Sequence, residues 1–160
     1  MTDIVLHDLE PEELDSPELR SLLRLATDYD DARLSRLLVE ELPRLTVLTA
    51  IPAAVGEGPP VALAAYAPPA PGPSPPRPSA TIEYLATAGG RRRTGLAGAL
   101  IAGIRRRHPR AAVRASTDDD AIGFYRRAGF ADRPAPADPR WPGRRRYDCV
   151  LAPASLPAPG

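Results

Sequence analysis

The sequence predicts an α/β (α+β) fold, a mixed, mostly antiparallel central sheet flanked by helices. Short β-rich runs and helical patterns interleave along the chain, the arrangement that layered folds need to bury apolar faces. Two early runs, Leu45 to Ile51 and Val61 to Tyr66, sit on either side of Gly56-Glu57-Gly58-Pro59 and read as a hairpin. The 160 residues fit one domain with a sizeable core. We expect that domain over 1–152, with 153–160 as a disordered tail.

Ile4-Val5-Leu6 reads as an opening strand. Ser16-Pro17-Glu18 then starts a helix, with proline at the first helical position. Leu19, Leu22, Leu23 and Ala26 keep helical spacing. A second helix is expected from Asp30 to Leu42, ended by Pro43. After the hairpin comes a proline-rich loop, 68–79. Seven prolines among the eleven residues from Pro68 to Pro78 block helix and ladder bonds alike. Ala80 to Ala88 is a strand, Gly95 to Arg107 a helix ended by Pro109, and Ala111 to Ala115 another strand. Thr117 to Ala128 is expected to be helical, with three aspartates in its first turn, two arginines in its last and Gly129 as a left-handed cap. Phe130 opens a late strand, and Tyr147 to Leu151 is the final one.

Composition removes several functions. The net charge of +1 gives no overall pull toward nucleic acid or anionic membrane. All 21 basic residues are arginine, which excludes a lysine Schiff base and a lysine-bearing phosphate loop. One cysteine, Cys149, allows no internal disulfide, and two histidines suggest no metal centre. The first residues do not read as a signal peptide, and no apolar run approaches the roughly 20 residues a span needs. A cytoplasmic protein without membrane contact is the expectation. The arginine, alanine and proline bias points to a GC-rich bacterial genome.

Leu85 to Leu100 carries the most chemistry. A strand enters a glycine- and arginine-rich turn, and a helix with a small first turn follows. The first amides of a helix lack partners within it and favour anions. Gly95, Ala97 and Gly98 remove bulk, so a pyrophosphate can approach the backbone. The arginines add forked donors. Such a cradle suits any phosphate.

Arg92-Arg93-Thr94-Gly95-Leu96-Ala97 resembles the coenzyme A signature of the GNAT superfamily of N-acetyltransferases, [QR]-x-x-G-x-[GA], with Arg93 where many members have glycine. Asp118-Asp119-Asp120-Ala121-Ile122-Gly123-Phe124-Tyr125-Arg126-Arg127-Ala128-Gly129-Phe130 resembles the family's second landmark, N-x-x-A-x-x-F-Y-x-x-x-G-F, with Asp118 replacing the common asparagine. The resemblance spans Ala80 to Leu151. It implies a GNAT-like acyl-CoA acyltransferase fold and transfer of the acetyl group of acetyl-CoA to a primary amine. The amine attacks directly, through a tetrahedral intermediate. It further implies cofactor contacts from Leu85, Ala86, Thr87, Arg92, Arg93, Thr94, Gly95, Ala97, Gly98, Asp118 and Phe124, with no metal.

That reaction needs an oxyanion donor, an acid for the sulfur and an acceptor for the amine proton. The resemblance assigns the first to a main-chain amide within Leu85 to Thr87, and the second to Tyr125. A phenol of pKa about 10 is still protonated when a thiol of about 8.5 departs as thiolate. The third falls to Glu83, which shares strand parity with Leu85 and Thr87, or to water. Asp28, Tyr29 and Asp30, between the first two helices, match the segment bordering the acceptor pocket in the family. They would attract a cationic amine.

Arg144-Arg145-Arg146 near Trp141 reads as a solvated hairpin loop, ahead of a nucleic-acid contact. Cys149, in an apolar strand, reads as core. The partners expected are a small-molecule or peptide amine acceptor and a second copy of the chain through the late strands, with no nucleic acid. A catalytically silent acyl-CoA sensor is the alternative reading.

Overall fold

The computed structural model describes residues 4–53, 59–70, 78–89 and 95–154. In chain order it contains β1 (Ile4–Asp8), α1 (Pro17–Ala26), α2 (Asp31–Arg36), β2 (Thr46–Pro52), β3 (Ala62–Ala67) and β4 (Ser79–Thr87). Then come α3 (Leu96–Arg107), β5 (Ala112–Asp118), α4 (Ile122–Arg127), β6 (Ala131–Ala135) and β7 (Arg146–Leu151). The seven-stranded sheet has the order β1-β2-β3-β4-β5-β7-β6. The β1–β2, β2–β3, β5–β7 and β6–β7 pairs are antiparallel and β4–β5 is parallel. The mixed, mostly antiparallel sheet with flanking helices is therefore present. Most of the expected hairpin turn, the centre of the proline-rich loop, Arg92 to Thr94 and the last six residues lie outside the described residues.

The chain divides into two compact units, Met1–Pro68 with Glu83–Gly103, and Pro69–Ile82 with Ile104–Gly160. In the first, α1 starts as its sequence dictates: Ser16 Oγ accepts the Leu19 amide at 3.1 Å and Pro17 takes the first helical position. Asp30 caps α2 in the same way, accepting the Arg33 amide at 2.8 Å. The helix expected to Leu42 changes its bonding partway. Leu37–Glu41 is π-helical and Leu42–Arg44 is a 3-10 turn. Pro43 has no N–H to continue an α-ladder, and its ring would strike the carbonyl four residues back. In the wider turn the Leu42 amide bonds the Leu37 carbonyl, and both side chains are fully buried. They join Leu19, Leu22, Leu23, Leu34 and Leu38 against Val47, Leu63, Ala65, Tyr84 and Ala86 of the sheet.

In the second unit the strand expected at Ala111 to Ala115 runs on to Asp118, which corrects the helix expected from Thr117. Val113, Ala115 and Thr117 are buried in alternation, and the ladder to β7 continues through Thr117↔Tyr147 and Asp118↔Arg146. Sheet pairing of a β-branched residue overrides the helical reading. The helix itself is only Ile122–Arg127 and has no acidic residue in its first turn. Its C-terminus matches expectation. Gly129 has φ +97°, its amide bonds the Arg126 carbonyl, and the Phe130 amide bonds the Tyr125 carbonyl. This double closure of a helix end requires a left-handed residue.

Gly129→Ala should cost about 1 kcal/mol of stability from the left-handed backbone alone. A Cβ there meets only Leu151 Cδ1, at an ordinary 3.5 Å. Urea unfolding of the two proteins measures the difference.

Candidate active site

The start of α3 has the openness expected of an anion cradle. Gly95 has φ +84° and is exposed, and nothing lies within 4 Å of where a Cβ would stand on Gly95 or Gly98. Leu96, Leu100, Ile101 and Ile104 are buried, which fixes the helix on its inner side. The Ala99 amide bonds the Gly95 carbonyl at 2.9 Å, so intrahelical bonding begins there. The three preceding amides, of Leu96, Ala97 and Gly98, have no partner inside the helix by geometry. These residues fit a diphosphate.

Strand β4 shows the parity read from its sequence. Ala80, Ile82, Tyr84 and Ala86 are buried, Glu83 is exposed, and Leu85 and Thr87 are half-buried on Glu83's side. The described parallel ladder with β5 runs from Ser79↔Ala112 to Ile82↔Ala115. Glu83–Thr87 continue past its end, so main-chain groups on that edge are not spent in it.

Asp28, Tyr29 and Asp30 do lie between α1 and α2. The Asp30 carboxylate, however, is engaged in capping α2. The Tyr29 ring lies 4.2 Å from the Arg33 guanidinium. Sequence reasoning missed the neighbour that matters here. Tyr84 donates to Glu41 Oε2 at 2.7 Å, with Tyr29 as a second partner. Burial, and then the bond to Glu41, push the Tyr84 phenol above its ordinary range. Its position on the inward face of β4 was legible. The π-helical turn that brings Glu41 to it was not.

Asp118 ends β5 instead of starting a helix. Its Oδ1 accepts the amides of Asp120 at 3.0 Å and Ala121 at 3.3 Å, and its Oδ2 takes a 2.9 Å bond from Arg144 Nη1. Asp118 thus shapes the turn that leads into α4. Phe124 is half-buried, and Tyr125 is only 6% exposed. The Tyr125 ring meets Phe124 and Phe130 edge-on, with centroids 5.1 and 5.2 Å apart. Burial raises the Tyr125 pKa most, Cys149 and Asp118 raise it further, and Arg146 opposes them. The proton is firmly held. Cys149 is buried as expected, and burial pushes its thiol up to about 11.

The arginine run departs from the solvated loop expected of it. Arg144 and Arg145 are exposed, but Arg146 opens β7 and is 5% exposed. Among the described residues no group of His, Cys, Asp and Glu is placed to hold a metal ion. No helix among them is long and apolar enough to cross a membrane.

No family profile and no curated protein matches the chain in sequence. Solved structures do match in shape. A protein of Desulfovibrio desulfuricans classed as an acetyltransferase of the GNAT family superposes with a TM-score of 0.70 at 18% identity, covering 94% of this chain and 99% of its own. The ribosomal-protein-S18-alanine N-acetyltransferase of Escherichia coli gives 0.65 at 17% identity, over 98% and 97%. A Bacillus subtilis acetyltransferase in complex with CoA gives 0.67 at 15% identity, over 94% and 99%. These superpositions identify the fold of this chain as that of the GNAT acetyltransferases.

Proposed function

We propose that the protein transfers the acetyl group of acetyl-CoA to a primary amine of a small-molecule or peptide acceptor, by direct attack through a tetrahedral intermediate. The observation that carries this reading is the start of α3, where two glycines leave open space beside amides that have no partner within the helix. Acetyl-CoA supplies an activated thioester. The chain's own residues supply the rest.

The amides of Leu96, Ala97 and Gly98 hold the diphosphate, and Arg92, Arg93 and Thr94, outside the described residues, are further contacts of this reading. A main-chain N–H within Leu85–Thr87, beyond the end of the β5 ladder, donates to the thioester oxygen as negative charge develops on it. Tyr125 gives its proton to the departing sulfur. Burial keeps the phenol protonated at neutral pH, so the proton is present when the thiolate departs. Glu83, exposed on the Leu85 side of β4, or water takes the proton from the amine. Asp28 and Tyr29 border the acceptor, while the capping bond of Asp30 limits what it can offer. Asp118 and Phe124 contribute through the position of α4, Asp118 by setting the turn that precedes it.

An amine panel with acetyl-CoA, read by release of free thiol, tests the proposal. Thiol release with at least one amine is expected, and Tyr125→Phe should lower kcat about 100-fold with little change in cofactor binding. Cofactor binding without thiol release from any amine would favour a silent sensor instead.

Gly98→Leu offers a second check. The substitution meets open space in the protein and replaces a poor helix former, so stability should hold or rise. The KM for acetyl-CoA should nevertheless climb at least about tenfold, the effect of losing about 1.4 kcal/mol of binding.

A third check reads the phenols directly. Tyr84 and Tyr125 should be silent in a native absorbance titration up to about pH 10 and appear only on unfolding. The folded state keeps these protons where the unfolded chain loses them. Their contribution to stability is therefore intact below about pH 10 and declines as pH rises further. Tyr84→Phe and Tyr125→Phe should each flatten that alkaline decline in urea unfolding.

A further inference from the structure

Three carboxylates on or near one face of the second unit each have an arginine. Asp118 Oδ2 takes Arg144 Nη1 at 2.9 Å, Asp138 takes Arg140 Nη2 at 2.9 Å, and Asp148 lies 4.0 Å from Arg133. A fourth arginine, Arg146, is left over. It is the most buried of them, and no carboxylate lies within ion-pair distance of it among the described residues. Its Nη2 donates to Ser116 Oγ at 3.1 Å, its guanidinium carbon sits 4.5 Å from the centre of the Trp141 ring, and its buried Nε has no partner. A guanidinium removed from water and given only a hydroxyl and an aromatic face is poorly compensated. Such a group calls for an explanation, and a ligand that completes it is one.

Strand register places the group on a defined surface. Arg146 stands opposite Asp118, and Ser116 stands opposite Asp148. These four share one face of β5 and β7, while Thr117, Tyr147 and Cys149 are buried on the other. Ser116 is exposed, so this face is not sealed by the core.

We propose that Arg146, with Ser116 and Trp141, receives a small carboxylate ligand. The site does not depend on the acetyl-transfer reading. A monoanion is favoured over a phosphate dianion. Asp118 stands across the ladder from Arg146, Asp148 shares its face and Asp138 lies within electrostatic reach, and these would repel a second negative charge. A planar carboxylate also matches the guanidinium fork. Nε is buried in this conformation, so a ligand must displace whatever covers it, beside Trp141.

Trp141 is the only tryptophan, so its fluorescence reports the event. The wild-type protein is titrated at constant ionic strength with N-acetylglycine and, separately, with its methyl ester. A saturable change with the acid and none with the ester is expected. In Arg146→Gln the response should vanish, and in Ser116→Ala it should weaken severalfold. Equal behaviour of acid and ester overturns the site, and so does a folded Arg146→Gln that responds like wild type. Should that variant fail to fold, the wild-type comparison decides alone. Free coenzyme A is titrated as well, and an Arg146-dependent response to it would assign the site to a phosphate ligand and overturn the carboxylate assignment.

Discussion

Strand β4 has to satisfy a core on one face while leaving its other face and one edge available, and the rest of the molecule is arranged around that demand. Ala80, Ile82, Tyr84 and Ala86 point into packed interiors, whereas Thr81, Glu83, Leu85 and Thr87 do not. The two-residue period of a strand makes this division unavoidable, because moving the strand by one residue would expose every buried side chain. The same rigidity carries consequences to its end. A strand fixed in register delivers its last residues to a set position.

That delivery matters because the candidate cofactor site is mostly backbone. Amides at the start of α3 and main-chain groups beyond the β5 ladder cannot be swapped in by a favourable side chain. They are available only where the backbone is left unpaired and uncovered. Gly95 contributes a left-handed turn and Gly98 an absence of bulk, while Leu96 and Leu100 on the inner side stop the helix from closing the space. Openness is thus held in place by burial one residue away.

The second unit spends polar groups on the same goal of fixed geometry. Asp118 holds the turn into α4 with two amide bonds and is itself held by Arg144. Tyr147 donates to Asp119 at 2.5 Å, tying β7 to that same turn. At the other end of α4, Gly129 closes the helix so that Phe130 can return to the core beside Tyr125. The two ends together determine where the Tyr125 ring sits. Exposed ion pairs such as Arg126 with Asp132 lie outside this set and add little, because water competes for both partners.

Local sequence by itself determined what depends on near neighbours. The caps at Ser16 and Asp30, the glycine closure after α4, the alternation of β4 and the small first turn of α3 are all written within a few residues, because hydrogen bonds and steric limits at that range do not need the rest of the fold. Tertiary structure decided whatever depends on a partner far along the chain. Pairing with Tyr147 and Arg146 drew Thr117 and Asp118 into β5 and shortened the helix that their local pattern favours. A π-helical turn set Glu41 against Tyr84, 43 residues away. Arg146 was drawn out of a basic run and into the sheet, where the carboxylates near it were already taken by other arginines. Cross-strand register and competition for counter-charges belong to the assembled fold, and no window of sequence contains them.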